Sequence, residues 1–206
     1  MTLESTINWE KVDGLVPAII QNASTGFVLM LGYMNQAALR QTEKSGLACF
    51  YSRTRQTLWT KGETSGNTLR VESITLDCDG DTLLVRALPT GPTCHTGTTT
   101  CFDDDPGPAL AFLNELEAVI QERLGSDAAN SYTAKLAARG NRYIAQKVGE
   151  EAVEVAVAAA SNDSDGVVDE SADLLYHLLV LLQQHDMTMA DVTAKLAERH
   201  ASASDR

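Results

Sequence analysis

Apolar positions recur in two different rhythms along this chain. In the first hundred residues they come in short runs or alternate with polar ones, and in the second hundred they return every three to four positions. The first rhythm is that of strands and the second that of helices. Gly26–Leu31, Leu47–Ser52 and Thr57–Lys61 are short, rich in aromatic or branched residues and bounded by turn formers, so each is a predicted strand. Thr68–Asp77 alternates through Leu69 and Val71 and then shifts phase to Ile74 and Leu76, which predicts a bulge near Glu72-Ser73. Asp79-Gly80-Asp81 turns the chain into a further strand over Thr82–Leu88. Asn35–Lys44 is the one clear helix of this half, ended by Gly46.

The second half predicts helices over Ala109–Leu124, Tyr132–Arg139, Arg142–Ala160, Val167–His185 and Ala190–His200. Ser131, Asn141 and Thr188 are candidate caps, Gly125 and Gly140 candidate stops, and Ala201–Arg206 a frayed tail. Helices joined by short loops make a bundle. The expected architecture is therefore a β-rich α+β domain followed by an all-α helical bundle.

Composition places the boundary. All four cysteines and both tryptophans precede Phe102, whereas alanine rises from six before position 103 to twenty after it. We place the domains at residues 1–104 and 109–206, with a junction at Asp103-Asp104-Asp105-Pro106-Gly107-Pro108, where the prolines bias the chain away from helix. The formal net charge of −12 argues against a nucleic-acid partner, which needs basic patches. It leaves nucleotides open, because divalent cations screen their phosphates. The opening residues Met1–Thr6 lack the basic start and apolar core of a signal peptide. The longest apolar stretch, near Leu174–Leu182, is about half what a bilayer demands. Cysteines gathered near carboxylates then fit metal ligation in a reducing cytoplasm better than disulfides.

The densest chemistry lies between Asp77 and Cys101. Asp77, Asp79 and Asp81 alternate with Cys78, and Cys94-His95 and Cys101 follow. A calcium-binding EF-hand loop would need glycine at Thr82 and glutamate at Leu88, so that reading fails. Alternate residues of an extended segment share a side, which brings the three carboxylates to one magnesium ion and sends Cys78 the other way. Cys78 then joins Cys94 and Cys101 around zinc, either within the chain or across a dimer. Three thiolates leave a fourth position open for water, as in catalytic zinc sites. His95 is a fourth ligand, or a base or proton shuttle beside that water. Cys49, within an apolar run, reads as a small buried hydrophobe.

These residues carry a resemblance. Gly32-Tyr33-Met34-Asn35, Phe50-Tyr51-Ser52-Arg53-Thr54-Arg55, the stretch Leu58 to Asn67, Asp77-Cys78-Asp79, and Gly91-Pro92-Thr93-Cys94-His95-Thr96-Gly97 through Thr100-Cys101-Phe102 resemble phosphoribosyl-AMP cyclohydrolase. The similarity covers about residues 15–102, with Thr54 and Thr100 standing where serine is commoner. It implies magnesium at Asp77, Asp79 and Asp81. It also implies zinc at Cys78, Cys94 and Cys101, with Cys78 joined by Cys94 and Cys101 of a second subunit. The reaction expected is zinc-hydroxide opening of the adenine ring of phosphoribosyl-AMP at N1–C6. Ser52, Arg53, Arg55, Lys61, Ser65 and Asn67 offer donors for its phosphates. Trp59 either stacks on the base or packs in the core.

The second concentration is helical. Glu150, Glu151 and Glu154 share a side at i, i+3 and i+4 spacing, and Glu170 and Asp173 repeat the i, i+3 spacing on the next predicted helix. Helices this apolar have little surface to spare, so the carboxylates are expected inside the bundle or in a groove, held by magnesium. Glu150, Glu151, Glu154, Glu170 and Asp173, with Ser131-Tyr132-Thr133-Ala134-Lys135-Leu136 and Gln146-Lys147-Val148-Gly149, resemble phosphoribosyl-ATP pyrophosphatase. That family belongs to the MazG-like all-α pyrophosphohydrolases. Glu151 and Glu154 are the candidate catalytic carboxylates, and Lys135, Arg142 and Lys147 candidate phosphate contacts. His177 reads as a core histidine bonded to a backbone or hydroxyl group. Together the two resemblances imply a fused homodimeric enzyme of two consecutive steps in histidine biosynthesis, converting phosphoribosyl-ATP through phosphoribosyl-AMP.

Overall fold

The computed structural model describes residues 2–102, 107–126 and 131–204. Two compact units are present, Met1–Phe112 and Leu113–Arg206. Of the expected junction, residues 103–106 lie outside the described residues, as do 205 and 206 of the expected tail.

The first unit carries β1 (Val16–Asn22), β2 (Val28–Met34), α1 (Gln36–Ser45), β3 (Cys49–Ser52), β4 (Thr57–Thr60), β5 (Leu69–Leu76) and β6 (Leu83–Pro89). Four strands form one sheet in the order β2-β1-β6-β5, and β3 and β4 pair separately. β5 and β6 form the expected hairpin, and the register slips between Val71 and Ser73, so Glu72 is the bulged residue. Strand β1 was not among the predicted elements, yet it is central. Its Pro17 argues against a central strand, because proline gives no amide hydrogen to a ladder. The sheet accommodates it because the parallel pairing with β6 begins only at Ala18.

Helix α1 starts where Asn35 accepts a bond from the Ala38 amide (2.8 Å) and stops at Gly46, whose φ is 70°. Thr42 ties α1 to β3: its hydroxyl donates to the Ala38 carbonyl and accepts the Cys49 amide, both at 2.9 Å. Val16, Ile20, Leu29, Met34, Leu39, Phe50, Leu69 and Leu83 fill the core, with Cys49 buried among them as expected. Each large apolar side chain so buried contributes roughly 1.5–3 kcal/mol.

The second unit is helical: α2 (Ala111–Leu124), α3 (Tyr132–Ala138), α4 (Asn141–Ala160), α5 (Ser164–Gln183) and α6 (Met189–Ser204). Ile120, Leu136, Ile144, Leu179 and Val180 form the core, so α2 to α5 all contribute, and Met189 of α6 packs against it. Ser131 caps α3. Thr188 precedes α6, and its amide and hydroxyl both donate to the Asp191 carboxylate at 2.8 Å. Asn141 is not a cap: Gly140 stands at that position and Asn141 is the first helical residue. Helix α5 begins three residues earlier than expected because Asp163 accepts the Gly166 amide. Helix α6 continues through Ser204, where fraying was expected.

The expectation that α4 and α5 have little surface is corrected. Val153 and Val157 of α4 are each 62% exposed and Val168 of α5 is 67% exposed, so the helix pair presents an apolar face outward. No helix among the described residues is long and apolar enough to cross a membrane.

Candidate metal centres

Asp77, Asp79 and Asp81 offer ligand oxygens all within 4.8 Å of one another. Their convergence has a different origin from the expected strand alternation, since all three lie beyond the end of β5 in the turn to β6. Asp77 closes that turn, its Oδ1 accepting the amides of Asp81 (2.9 Å) and Thr82 (3.1 Å). Gly80 gives the positive φ (75°) the reversal needs, and its carbonyl takes the Asn8 amide at 2.7 Å. The segment beginning at Asn8 brings in a residue the sequence did not flag. Lys11 Nζ lies 2.5 Å from Asp79 Oδ2 and 2.6 Å from Asp81 Oδ2, and it holds both carboxyls below the usual range. Three carboxylates against one ammonium leave an oxygen-only set with negative charge in excess, which suits a hard ion.

The thiol site is assembled by two pinned segments. Cys94 opens a tight loop in which its amide bonds the Thr98 carbonyl, and the Thr96 hydroxyl donates to Cys94 Sγ at 3.1 Å. Thr100 Oγ1 donates to the Val28 carbonyl and the Cys101 amide to that of Leu29, so β2 anchors the second thiol. The Thr96 hydroxyl and amide lower the Cys94 thiol to about 6, while burial and the neighbouring Cys94 raise that of Cys101. The pair is therefore disposed to hold one thiolate before any cation arrives. Cys78 is exposed. Among the described residues it forms no close three-ligand group with Cys94 and Cys101. His95 Nδ1 lies 3.7 Å from Cys94 Sγ. Thr93, beside Cys94, buries a hydroxyl with no hydrogen-bond partner among the described residues.

A cleft of about 470 Å³ is lined by Ser52, Thr54, Arg55 and Trp59. Trp59 packs on Phe50 with ring centroids 5.0 Å apart, as the core alternative expects, and it also lines this cleft. Arg53 instead lies over the Tyr33 ring, 3.9 Å from its centroid. The Gly62–Asn67 loop is folded back on itself and pinned by Thr90, whose hydroxyl bonds the Gly66 carbonyl at 3.1 Å. Asn67 approaches Gly91 so closely that a Cβ there would meet its Oδ1 at 2.5 Å. Ser65 accepts the Asn67 amide within this loop. Lys61 is near enough to Cys101 to favour its thiolate. Loop donors and cysteines therefore belong to one neighbourhood.

In the second unit Glu151 and Glu154 of α4 and Glu170 of α5 meet within 4.8 Å. Glu150 and Asp173 fall outside that group. Glu150 turns aside to Gln146 (2.7 Å) and Lys147 (3.0 Å), and Asp173 is exposed one turn along α5. Lys147 also pairs with buried Glu151 at 2.8 Å and holds its carboxyl low. The Glu154 carboxyl is raised, because its acid form hydrogen-bonds Glu151 and Glu170, and their like charge crowds it further. That crowding is what a divalent cation would relieve. Lys135 and Arg142 are exposed and in no ion pair among the described residues. His177 is buried and bonded to a carbonyl and a hydroxyl, as expected, but it also faces Glu151.

Comparison with known proteins divides the chain as the fold does. Residues 30–103 match the phosphoribosyl-AMP cyclohydrolase family and residues 113–200 the phosphoribosyl-ATP pyrophosphohydrolase family. A histidine biosynthesis bifunctional protein HisIE of Photobacterium profundum is 60% identical over 205 residues, covering 97% of this chain and 99% of the relative. The chain belongs to the HisIE family. Relatives of the same name from Vibrio cholerae (55% over 201 residues) and Salmonella typhimurium (57% over 194) cover 97% and 94% of this chain, and 96% and 95% of their own lengths. As a HisIE protein it is a bifunctional hydrolase of histidine biosynthesis, β-rich in its first domain and all-helical in its second. The family is metal-dependent in general and acts on small nucleotides.

Proposed function

We propose that the helical domain hydrolyses phosphoribosyl-ATP to phosphoribosyl-AMP and pyrophosphate, and that the β-rich domain then opens the adenine ring at N1–C6. The observation that carries this reading is that each family-matched half gathers its own set of three carboxylates within 4.8 Å.

In the helical domain Glu151, Glu154 and Glu170 would hold magnesium, and Glu150 and Asp173 are further carboxylates available to it. When bound, magnesium neutralises phosphate charge and orients water for attack. Water adds to the α-phosphorus, the α–β bridging bond breaks, and pyrophosphate leaves. Glu154, whose carboxyl is raised chiefly by hydrogen bonds with Glu151 and Glu170, takes the water's proton, and Glu151 stays ionised through Lys147. Exposed Lys135 and Arg142 bind the phosphates, and Lys147 joins them.

In the β-rich domain Cys78 of one subunit and Cys94 and Cys101 of another hold zinc, and Asp77, Asp79 and Asp81 hold magnesium. When bound, zinc supplies an acidified water as nucleophile near neutral pH. The water oxygen bonds C6, which keeps its amino group and becomes a carboxamide carbon. The C6–N1 bond breaks and N1 gains the proton, relayed in this reading by His95, whose Nδ1 lies 3.7 Å from Cys94 Sγ. Trp59 stacks on the base, while Ser52, Arg53, Arg55, Lys61, Ser65 and Asn67 face the phosphates. Homodimer formation draws support from the outward apolar face of α4 and α5 and from the separation of Cys78 from the other two thiols. The enzyme works in the cytoplasm.

Mass spectrometry of the products from phosphoribosyl-ATP, with zinc-loaded protein and magnesium, tests the reading. Pyrophosphate together with a ribonucleotide one water heavier than phosphoribosyl-AMP is expected. Accumulating phosphoribosyl-AMP would refute the thiol site, and no release at all would refute both halves.

A further inference from the structure

Glu151 and His177 are the buried carboxylate and the buried imidazole among the described residues, each 4% exposed, and they face one another. His177 Nδ1 lies 3.5 Å from Glu151 Oε1 and 2.9 Å from the Asp173 carbonyl one turn back on α5. A carbonyl can only accept, so Nδ1 carries the hydrogen. On the other side of the ring Nε2 meets the Tyr132 hydroxyl of α3 at 3.1 Å. The Tyr176 ring packs edge-on at 5.4 Å and that of Tyr132 at 6.3 Å. The imidazole is held at both nitrogens and across its edges.

The Glu151 oxygen that His177 faces, Oε1, is the one that Lys147 Nζ contacts at 2.8 Å. The two contacts thus fall on a single oxygen. Neither contact uses the other oxygen, and Glu151 clusters with Glu154 and Glu170.

We propose that His177, braced by Tyr132, is a positioning residue for pyrophosphate release: it holds Glu151 in the orientation that offers its second oxygen to a divalent cation. The assignment rests on the reading of Glu151, Glu154 and Glu170 as a cation site. Partners outside a ligand shell fix ligand orientation, and losing one costs about 10–100-fold in metal affinity or rate. A histidine that only fills space would be replaceable by any side chain of similar volume.

Manganese titration of the full-length protein, read by electron paramagnetic resonance, isolates the site as the binding component that Glu154→Gln removes. His177→Leu, which keeps bulk and loses both nitrogens, should weaken that component about 10-fold and lower kcat for pyrophosphate release about 10-fold or more. KM for phosphoribosyl-ATP should stay within about twofold, since His177 is assigned no substrate contact. His177→Asn keeps a donor near the Nδ1 position and should recover most of the affinity. Tyr132→Phe, a loss of one hydroxyl at a residue 57% exposed, should fall between wild type and His177→Leu. Wild-type manganese affinity in a folded His177→Leu, or no recovery in His177→Asn, overturns the proposal. Should His177→Leu not fold, unchanged manganese binding in Tyr132→Phe overturns it alone. If Glu154→Gln removes no component, the cation-site reading has failed and the proposal falls with it. If it removes one that His177→Leu leaves intact, only the role of His177 has failed.

Discussion

The two carboxylate clusters among the described residues each bring three acids within 4.8 Å of one another, but they are made from different materials. Asp77, Asp79 and Asp81 lie within five residues in one turn, and backbone amides bonded to Asp77 hold that turn in shape. Glu151, Glu154 and Glu170 come from two helices, and only their packing brings them together. Each cluster includes an ammonium group. Lys11 reaches the exposed turn from the N-terminal segment, whereas Lys147 stands on the same helix as its partners, one turn before Glu151. A cluster made by a turn tolerates exposure because its geometry is local. One made by packing depends on neighbours such as Lys147 and His177 to hold a buried carboxylate ionised and oriented. The thiols add a third case, in which one chain brings Cys94 and Cys101 together and leaves Cys78 apart.

The largest expected effect separates the domains. Cys94→Ser should reduce ring opening by more than the roughly 10–100-fold that loss of an outer-shell partner costs, with pyrophosphate release unchanged. Chromatography of the products would then show phosphoribosyl-AMP accumulating, and equal loss of both steps would break the separation. Next comes Glu154→Gln, which should cut pyrophosphate release about 100-fold and spare the opening of supplied phosphoribosyl-AMP. The same substitution should raise the melting temperature of metal-free protein at pH 7. A carboxyl raised by its neighbours binds its proton more tightly folded than unfolded, so its ionisation opposes folding as pH rises, and glutamine removes that opposition. The gain should vanish as pH falls below the ordinary glutamate range. Thermal denaturation of both proteins in chelator, at pH 7 and at pH 4, measures it.

Asp173→Asn should cost less than Glu154→Gln in pyrophosphate release, because Asp173 lies outside the group of three. Equal losses would mean that the cation site extends along α5. The smallest effect concerns the turn. Lys11→Met removes a competing cation from Asp79 and Asp81 and should tighten manganese binding there about threefold at low salt, the scale of an exposed ion pair. Weaker binding would show that Lys11 organises the turn rather than competes for it.

Much of this was legible in the sequence, and the exceptions share a cause. The bulge at Glu72, the β5–β6 hairpin and the limits of α1 follow from residues adjacent in the chain, and the pattern predicts them. Strand β1 escaped because Pro17 argues against it locally, and only its distant pairing with β6 accommodates proline. The spacing of Glu150, Glu151 and Glu154 places all three on one side of α4. Which of them meets Glu170 depends on how α5 packs, and Lys147 draws Glu150 aside. Lys11 belongs to no motif and acts across 68 residues of chain. His177 was legible as a core residue, but its approach to Glu151 requires α4 and α5 in register.

Subunit complementation tests most directly the proposed contrast between a carboxylate site complete within one chain and a thiol site shared between two. Cys78→Ser and Cys94→Ser proteins, each inactive in ring opening, are mixed, allowed to exchange subunits and assayed with phosphoribosyl-AMP. If Cys78 is joined by the thiols of a partner, a mixed dimer carries one intact site. Random exchange should then restore about a quarter of wild-type activity, since half the dimers are mixed and each has one of two sites. No recovery, with exchange verified by mass, would contradict the account and place all three thiols in a single chain.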